Sequence, residues 1–337
     1  MIDGQTVIIV TPMKNEGPYI LEWVAHHLSV GFDGFVIFTN DCDDLSDRIL
    51  DRLARLVPLI HTPNPHALFP DRGNWHIVAL RHARLFNLYR DAGWIFHTDA
   101  DEFLQVTCGD GTLQAFANAA GRFDAVSFTS MPFGSGGVLH LSDNFVTAQF
   151  RTLNKPYAAL RSGVGRDGNA VKTLFRNAVP FDVRHNHRPR MRGFSASGLR
   201  WIDGSGRTLP PAFTDGSAKA LNPVGTTDLA QMSHYAIRSA EAYVLKIDGG
   251  DAVGAPRLER KRAYWQAYNT PGDAEDRFAD KSPAFRAIWT GFMADPALAA
   301  LHAESFVRHR HKVAALHARP DMARFLRWLG LANGAPA

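Results

Sequence analysis

Between Val7 and Phe96 the chain alternates short apolar runs with stretches of helical spacing, and that alternation restricts the fold more than any single residue does. "VIIV" from Val7 reads as a strand. "PYILEWVAHHLSVG" from Pro18 has apolar residues at helical spacing, opened by a proline and closed by Gly31. "FVIF" from Phe35 repeats the strand signal. Ser46 is placed to cap a helix whose face is Ile49, Leu50, Leu53 and Leu56, ahead of a short strand "LIH" at Leu59. A third helix is expected from Trp75 to Tyr89, and "WIF" at Trp94 begins a fourth strand. This pattern predicts an α/β fold with a mostly parallel central sheet and helices on both faces.

In an open sheet of that type the ligand lies beyond the carboxyl ends of the strands. The loops expected there are "TPMKNEG", "TNDCDD" and "TDADEF". After Phe123 the pattern changes: "DAVSFTS" reads as a strand, "KTLFRN" and "RHNHRP" as short strands and loops, and from Ser239 the chain is mainly helical. The expected organisation is one domain over residues 1–235 and a helical extension over 236–337 packed on it.

Composition narrows the function classes. No apolar run in the 337 residues approaches the roughly 18 residues a membrane span needs, and the start lacks the pattern of a secretory signal, so a cytoplasmic address is expected. Cys42 and Cys108 have no CxxC spacing and are expected to be free thiols. The formal charge of +4 is spread thinly, without the dense basic stripe of a nucleic-acid binder.

The chemistry concentrates in "GWIFHTDADEFLQV", where an apolar strand runs into three carboxylates within four residues. Like charges so close repel unless a cation sits among them. On an extended strand Asp99 and Asp101 would share one face while Glu102 points elsewhere. Two hard oxygen ligands on one side suit Mn²⁺ or Mg²⁺ shared with a phosphate. Removing the charge of Asp101 is expected to relieve repulsion and leave the metal-free protein as stable or more so. "GVGRDG" from Gly163 formally satisfies GxGxxG but lacks the strand before and the helix after, and reads as a glycine-rich hairpin. "HNH" at His185 has no third ligand at zinc spacing. Neither G-x-S-x-G nor a P-loop occurs.

Several motifs in order, "KNEGPYILEWVAHHLSVGFDGFVIFTNDCDD" at Lys14, "GWIFHTDADEFL" at Gly93, "FGSGG" at Phe133 and "HYAIRSAEAYVLK" at His234, resemble the glycosyltransferase family 2-like group with the D-x-D-E-F signature. The resemblance implies a GT-A fold, a nucleotide-sugar donor, UDP-linked as the first choice, and a divalent metal, Mn²⁺ or Mg²⁺, bridging its diphosphate. By position, Thr11, Lys14, Asn15 and Glu16 would flank the nucleoside, and Asn40 or Asp41 would approach the base or ribose. Asp99 and Asp101 would hold ribose and metal, with Asp101 the direct ligand, and His234 would reach the metal from the far side. Lys14 and Arg238 would be phosphate partners.

The reaction so implied is metal-dependent sugar transfer to an acceptor hydroxyl with inversion, a carboxylate deprotonating the acceptor. Glu102 and Glu241 are the base candidates. The acceptor class is a saccharide or a lipid-linked one. A second reading keeps the fold and donor binding without transfer, as a catalytically impaired nucleotide-sugar-binding or scaffold protein. Finally, "RPDMARFLRWLGL" from Arg319 would put Phe325, Trp328 and Leu329 on one helix face beside Arg324 and Arg327. That face would either lie in a membrane interface, giving peripheral association, or pack on the protein.

Overall fold

A strand buried on both faces needs apolar side chains in both directions, and "VIIVTPM" supplies them. In the computed structural model this segment, β1 (Val7–Met13), is buried throughout. Ile9 faces a core that includes Trp23, Val24, Ile49 and Phe116. Ile8 and Val10 face the opposite core with Ala79, Leu80 and Ala83. The structure describes residues 1–156, 159, 170–179, 181–182, 187–191, 198–210, 227–249 and 258–331; "GVGRDG" and His185 lie outside them.

The elements in chain order are β1, α1 (Gly17–Val30), β2 (Gly34–Thr39), α2 (Ser46–Leu53), β3 (Leu59–Pro63), α3 (Trp75–Ala83), α4 (Asn87–Arg90), β4 (Trp94–His97) and β5 (Glu102–Val106). There follow α5 (Leu113–Ala120), β6 (Ala125–Pro132), α6 (Val146–Gln149), β7 (Val171–Arg176), β8 (Phe181–Asp182), β9 (Arg190–Met191), β10 (Trp201–Asp203) and β11 (Ala230–His234). The chain then becomes helical: α7 (Ala240–Asp248), α8 (Leu258–Tyr268), α9 (Pro283–Met293), α10 (Pro296–His317) and α11 (Ala323–Trp328).

The main sheet runs β3-β2-β1-β4-β7-β6-β11-β5, with β10 added on β6. Five of its pairings are parallel and three antiparallel. The architecture is thus the mixed, mostly parallel sheet with surrounding helices that the alternation predicts. Strand order reverses between β1 and β4, which opens a crevice beyond their carboxyl ends, where open α/β sheets bind ligands. β5 follows β4 in the chain yet joins the far edge, on β11, so the sheet curls and the turn between β4 and β5 bridges its two parts.

Local differences from the sequence reading have physical reasons. Ser46 does not cap α2 but begins it. Its hydroxyl donates to Asp44 Oδ1 at 2.6 Å and accepts the Glu16 N–H, while Leu45 precedes it at φ 74°. Leu56 lies past the end of α2 and is 43% exposed. The helix expected over 75–89 stops at Ala83 and restarts as the single turn α4. Of the α11 face expected to meet either a membrane or the protein, Phe325 and Leu329 are buried with Tyr243, Val244 and Trp265, and Trp328 packs partly buried against them, so this face packs on the protein. Among the described residues no helix is long and apolar enough to cross a membrane. The helical C-terminal part divides its packing, since Phe285, Phe292 and Leu298 of α9 and α10 join the core that holds α1.

α1 buries two adjacent histidines. His26 Nε2 donates to Leu104 O at 2.7 Å. His27 Nδ1 donates to Trp23 O, and its other nitrogen accepts the Leu104 N–H, a pairing only a neutral ring can make. Burial, then the charge of Lys281, lowers His26 to about 3, and burial lowers His27 well below its ordinary value. Unfolding therefore takes up protons below pH 6.5, and stability carried by these neutral rings is lost as pH falls from there toward 3. His26→Gln keeps a donor for Leu104 O and removes one titrating group. The fall in unfolding free energy between pH 6.5 and 5, measured by denaturant melts, is expected to become shallower by about 1.1 kcal/mol per pH unit on average, approaching about 1.4 toward pH 5. An unchanged slope would show that His26 is not buried as a neutral ring.

Candidate active site

The turn Thr98–Asp101 joins two buried strands, so its backbone and carboxylates must be neutralised by neighbours. Glu102, the first residue of β5, folds back on it: Oε2 accepts the Asp99 N–H and the Thr98 hydroxyl, each at 3.0 Å. The Trp23 indole N–H lies 3.2 Å from Asp99 O and 2.9 Å from Glu102 O. Asp99 and Asp101 both line one cavity. They are brought there by this turn, not by strand alternation.

The cations among the carboxylates come from the chain itself. Lys172 on β7 is fully buried, with Nζ 2.6 Å from Asp99 Oδ2 and 3.1 Å from Glu102 Oε2. Burial alone would raise Asp99, but Lys172, followed by His76, holds it down to about 2. Lys172 is itself raised by the two carboxylates against the effect of burial. Lys246 on α7 donates to Asp101 Oδ2 at 2.7 Å, and His234 Nε2 at the end of β11 lies 3.6 Å from Oδ1. Burial pushes Asp101 up, yet Lys246 and His234 hold it well below the usual carboxylate range. Burial lowers His234, and the charge and hydrogen bond of Asp101 more than reverse that, leaving it raised.

The cavity has a volume of about 470 Å³ and sits at the crevice beyond β1 and β4. Lys14, Asn15 and Glu16 enter it from the β1–α1 loop. Arg238 closes one side, with Nη1 2.8 Å from Glu16 Oε2, Nη2 3.3 Å from Ala100 O, and its guanidinium 3.7 Å above the Tyr19 ring. Asn15 and Arg238 adopt left-handed backbone conformations, at φ 54° and 49°. Asparagine tolerates that region, whereas for arginine it is costly, and such strain collects at functional sites. α10 adds His309 and Lys312 from the other end of the chain. His309 bonds Asp44 Oδ2 at 2.8 Å, an oxygen that also accepts the Gly17 N–H. Tyr264 and Tyr268 of α8, their rings 4.6 Å apart, complete the wall beside His234.

The residues singled out from sequence separate into those that meet here and those that do not. Lys14, Asn15, Glu16, Asp99, Asp101 and His234 line the cavity. Thr11 lies within β1, fully buried, its hydroxyl on Pro12 O. Asn40 and Asp41 are not among the described lining residues; Asp41 is 75% exposed with Lys14 3.9 Å away. Glu102 is committed to the turn. Glu241 faces away from the cavity, bonding His140 Nδ1 at 2.9 Å and the Leu141 N–H at 2.7 Å, so it braces another loop and is not positioned as a base. Sequence reading missed Lys172, His76 and His309 and gave Lys246 no role. Lys172 had a signal: a lysine among the apolar residues of "VKTLF" must find a buried counter-charge.

Among the described residues no group of three or more His, Cys, Asp or Glu side chains forms a ready-made metal cage. Asp101 and His234 nevertheless supply an oxygen and an imidazole nitrogen to the same cavity, a donor pair suited to a cation that completes its shell elsewhere.

No protein-family model and no curated protein sequence matches the chain. Among solved structures it is similar to TarS of S. aureus in complex with UDP, at 15% identity and a TM-score of 0.31, over 52% of this chain and 47% of that one. It is also similar to glucosyl-3-phosphoglycerate synthase from Mycobacterium tuberculosis in complex with Mn²⁺, UDP and glucosyl-3-phosphoglycerate, at 16% identity and a TM-score of 0.27, over 52% and 58% of the two chains. The chain thus spans about half the length of these proteins.

Proposed function

We propose that the protein is a metal-dependent glycosyltransferase that moves a sugar from a nucleotide-sugar donor, UDP-linked as the first choice, to an acceptor hydroxyl with inversion. One observation carries the reading: donors for a divalent cation, Asp101 and His234, and cations for a diphosphate, Lys14, Arg238 and Lys246, line the same cavity at the strand-order reversal. Its volume of about 470 Å³ is within the range of small-molecule sites, roughly 300–1,000 Å³. Three of the four motifs that resemble family 2-like glycosyltransferases, those at Lys14, Gly93 and His234, put residues on its walls, and that resemblance is the ground for a GT-A assignment.

Asp101 and His234 would hold Mn²⁺ or Mg²⁺ together with the donor's phosphates. When bound, the ion would stabilise the charge that develops on the departing nucleoside diphosphate. Glu102 and Lys172 keep the turn in place, which suits Asp99 to the ribose more than to the metal, because its Oδ2 already holds Lys172. Lys14 and Asn15 flank the nucleoside. Lys246, His309 and Lys312 belong to segment 236–337, so in this reading that segment serves the same catalytic unit. The acceptor, a saccharide or a lipid-linked one, would enter beside Tyr264 and Tyr268.

A thermal-shift panel of nucleoside diphosphates with and without Mn²⁺ tests the donor. UDP with Mn²⁺ at a hundredfold excess over Kd is expected to raise the melting temperature by several degrees, from about 2.7 kcal/mol of linkage. Slow Mn²⁺-dependent release of UDP from a UDP-sugar would separate a transferase from a protein that only binds the donor.

Asp101→Asn should abolish the Mn²⁺-dependent part of that shift. Because Lys246 and His234 lose their counter-charge, the metal-free variant should also melt lower than wild type, opposite to what unrelieved carboxylate repulsion would give. Unchanged metal dependence in this variant would remove Asp101 from the site.

His234→Ala should weaken Mn²⁺-dependent UDP binding by roughly tenfold to a hundredfold. Protonated imidazole cannot coordinate, and Asp101 raises the His234 pKa above 6.5, so wild-type Mn²⁺ binding should decline as pH falls through that raised value. Calorimetric titrations from pH 8 to 6 should show this decline in wild type and a flatter profile in the variant. Equal affinity and equal pH dependence would make His234 structural.

A further inference from the structure

The two lysines that neutralise the aspartates differ in how they are held. Lys172 has 1% of its side chain exposed and is fixed between Asp99 and Glu102. Lys246 has 35% exposed, lines the cavity, and has its ammonium on Asp101 Oδ2 at 2.7 Å and Ala236 O at 3.0 Å. A lysine head on a four-carbon stem with one face in solvent can move without disturbing the core. The carboxylate it occupies is the one that also faces His234.

An ammonium and a divalent cation on one carboxylate repel each other, and each offsets the charge that attracts the other. The same cavity must take in the negative charge of a diphosphate, for which a released ammonium is a strong charge-assisted donor. We propose that Lys246 is a resident counter-ion of Asp101 that a divalent cation displaces, and that the freed ammonium then pairs with the donor's phosphates. The inference rests on the glycosyltransferase reading and adds a coupling to it. Metal alone must compete with Lys246, whereas metal and nucleotide together give every charge a partner, so each tightens the other by the same factor. Lys172 cannot take this role, because its ammonium is itself buried and moving it would strand the buried Glu102 carboxylate along with Asp99.

Lys246→Met keeps the stem and removes the charge. Lys246→Gln also keeps a donor for Ala236 O, which guards against a folding defect in the first variant. Mn²⁺ affinity without nucleotide is measured from the electron paramagnetic resonance signal of the free ion, and UDP affinity at saturating Mn²⁺ by calorimetry. Both variants, lacking one competing unit charge at contact distance, are expected to bind Mn²⁺ alone roughly tenfold tighter than wild type and, lacking one phosphate partner, UDP roughly tenfold more weakly. The factor by which UDP tightens Mn²⁺ should shrink accordingly. If wild type shows Mn²⁺-dependent UDP binding and neither variant binds Mn²⁺ alone more tightly, Lys246 is not a displaced counter-ion. If wild type binds neither Mn²⁺ nor UDP, the glycosyltransferase reading itself falls, and this inference with it.

Discussion

Lys172 is the constraint around which the site is built. A fully buried ammonium must keep its counter-charges, and its two are Asp99, within the turn that joins β4 to β5, and Glu102, directly after it. Removing one partner from such a group costs about 3–5 kcal/mol, although the intact arrangement is not more stabilising than apolar packing of similar volume. What the charge provides is position. β7 is antiparallel to both β4 and β6, and it carries Lys172 under the turn. The Trp23 indole N–H reaches the carbonyls of Asp99 and Glu102 from α1, on another side. With backbone and side chains held from these directions, the turn presents Asp101 to the cavity in one orientation.

The second dependence runs from the end of the chain to its beginning. Gly17 starts α1 where a Cβ would lie 2.9 Å from both Asp44 O and the Ser305 Cβ, so only glycine lets α1, the Asp44 loop and α10 approach this closely. That approach puts His309 on Asp44, and burial of Asp44 is outweighed by the His309 hydrogen bond and charge, which hold it at about 2. Arg308 and Lys312 of the same helix bond Asp43. α10 is therefore packed core on one side and cavity wall on the other. Nothing in a linear reading of "SFVRHRHKVAAL" separates the histidine at 309 from its neighbours; the separation comes from which turn of the helix meets α1.

The alternation from Val7 to Trp94 was legible because each strand there is short, apolar and followed by a helix with its own boundary signals. Gly31 at φ 105° ends α1 where only glycine sits comfortably. The loops after β1 and β4 were legible for the same reason, and Lys14, Asn15, Glu16, Asp99 and Asp101 fall in the cavity. The rest depends on pairing between distant segments. That β7 enters between β4 and β6 cannot be inferred from "VKTLFR" itself, since an antiparallel insertion and a parallel continuation have the same apolar run. Glu241 looked equivalent to any helix carboxylate near His234, and only the position of the 140 loop gives it partners elsewhere. The helix expected through residue 89 ends early, because Phe86 turns extended, at φ −87° and ψ 141°, and packs near Phe38 and His82.

The crowding of carboxylates at the end of β4 suggested a site waiting for a metal. The structure divides the task differently: one aspartate is balanced by a lysine in the core, the other by a lysine at the cavity's edge and a histidine. Both carboxylates are therefore kept ionised before any ligand arrives. Held this way, the turn keeps Asp99 and Asp101 close together, because the charges that would otherwise drive them apart are already matched. Of the groups around Asp101, Lys246 is the most open, with 35% of its side chain exposed against 16% for His234 and 10% for Asp101 itself. Lys172 and Glu102, both buried, fix the turn from beneath, while Asp99, 28% exposed, opens onto the cavity beside them.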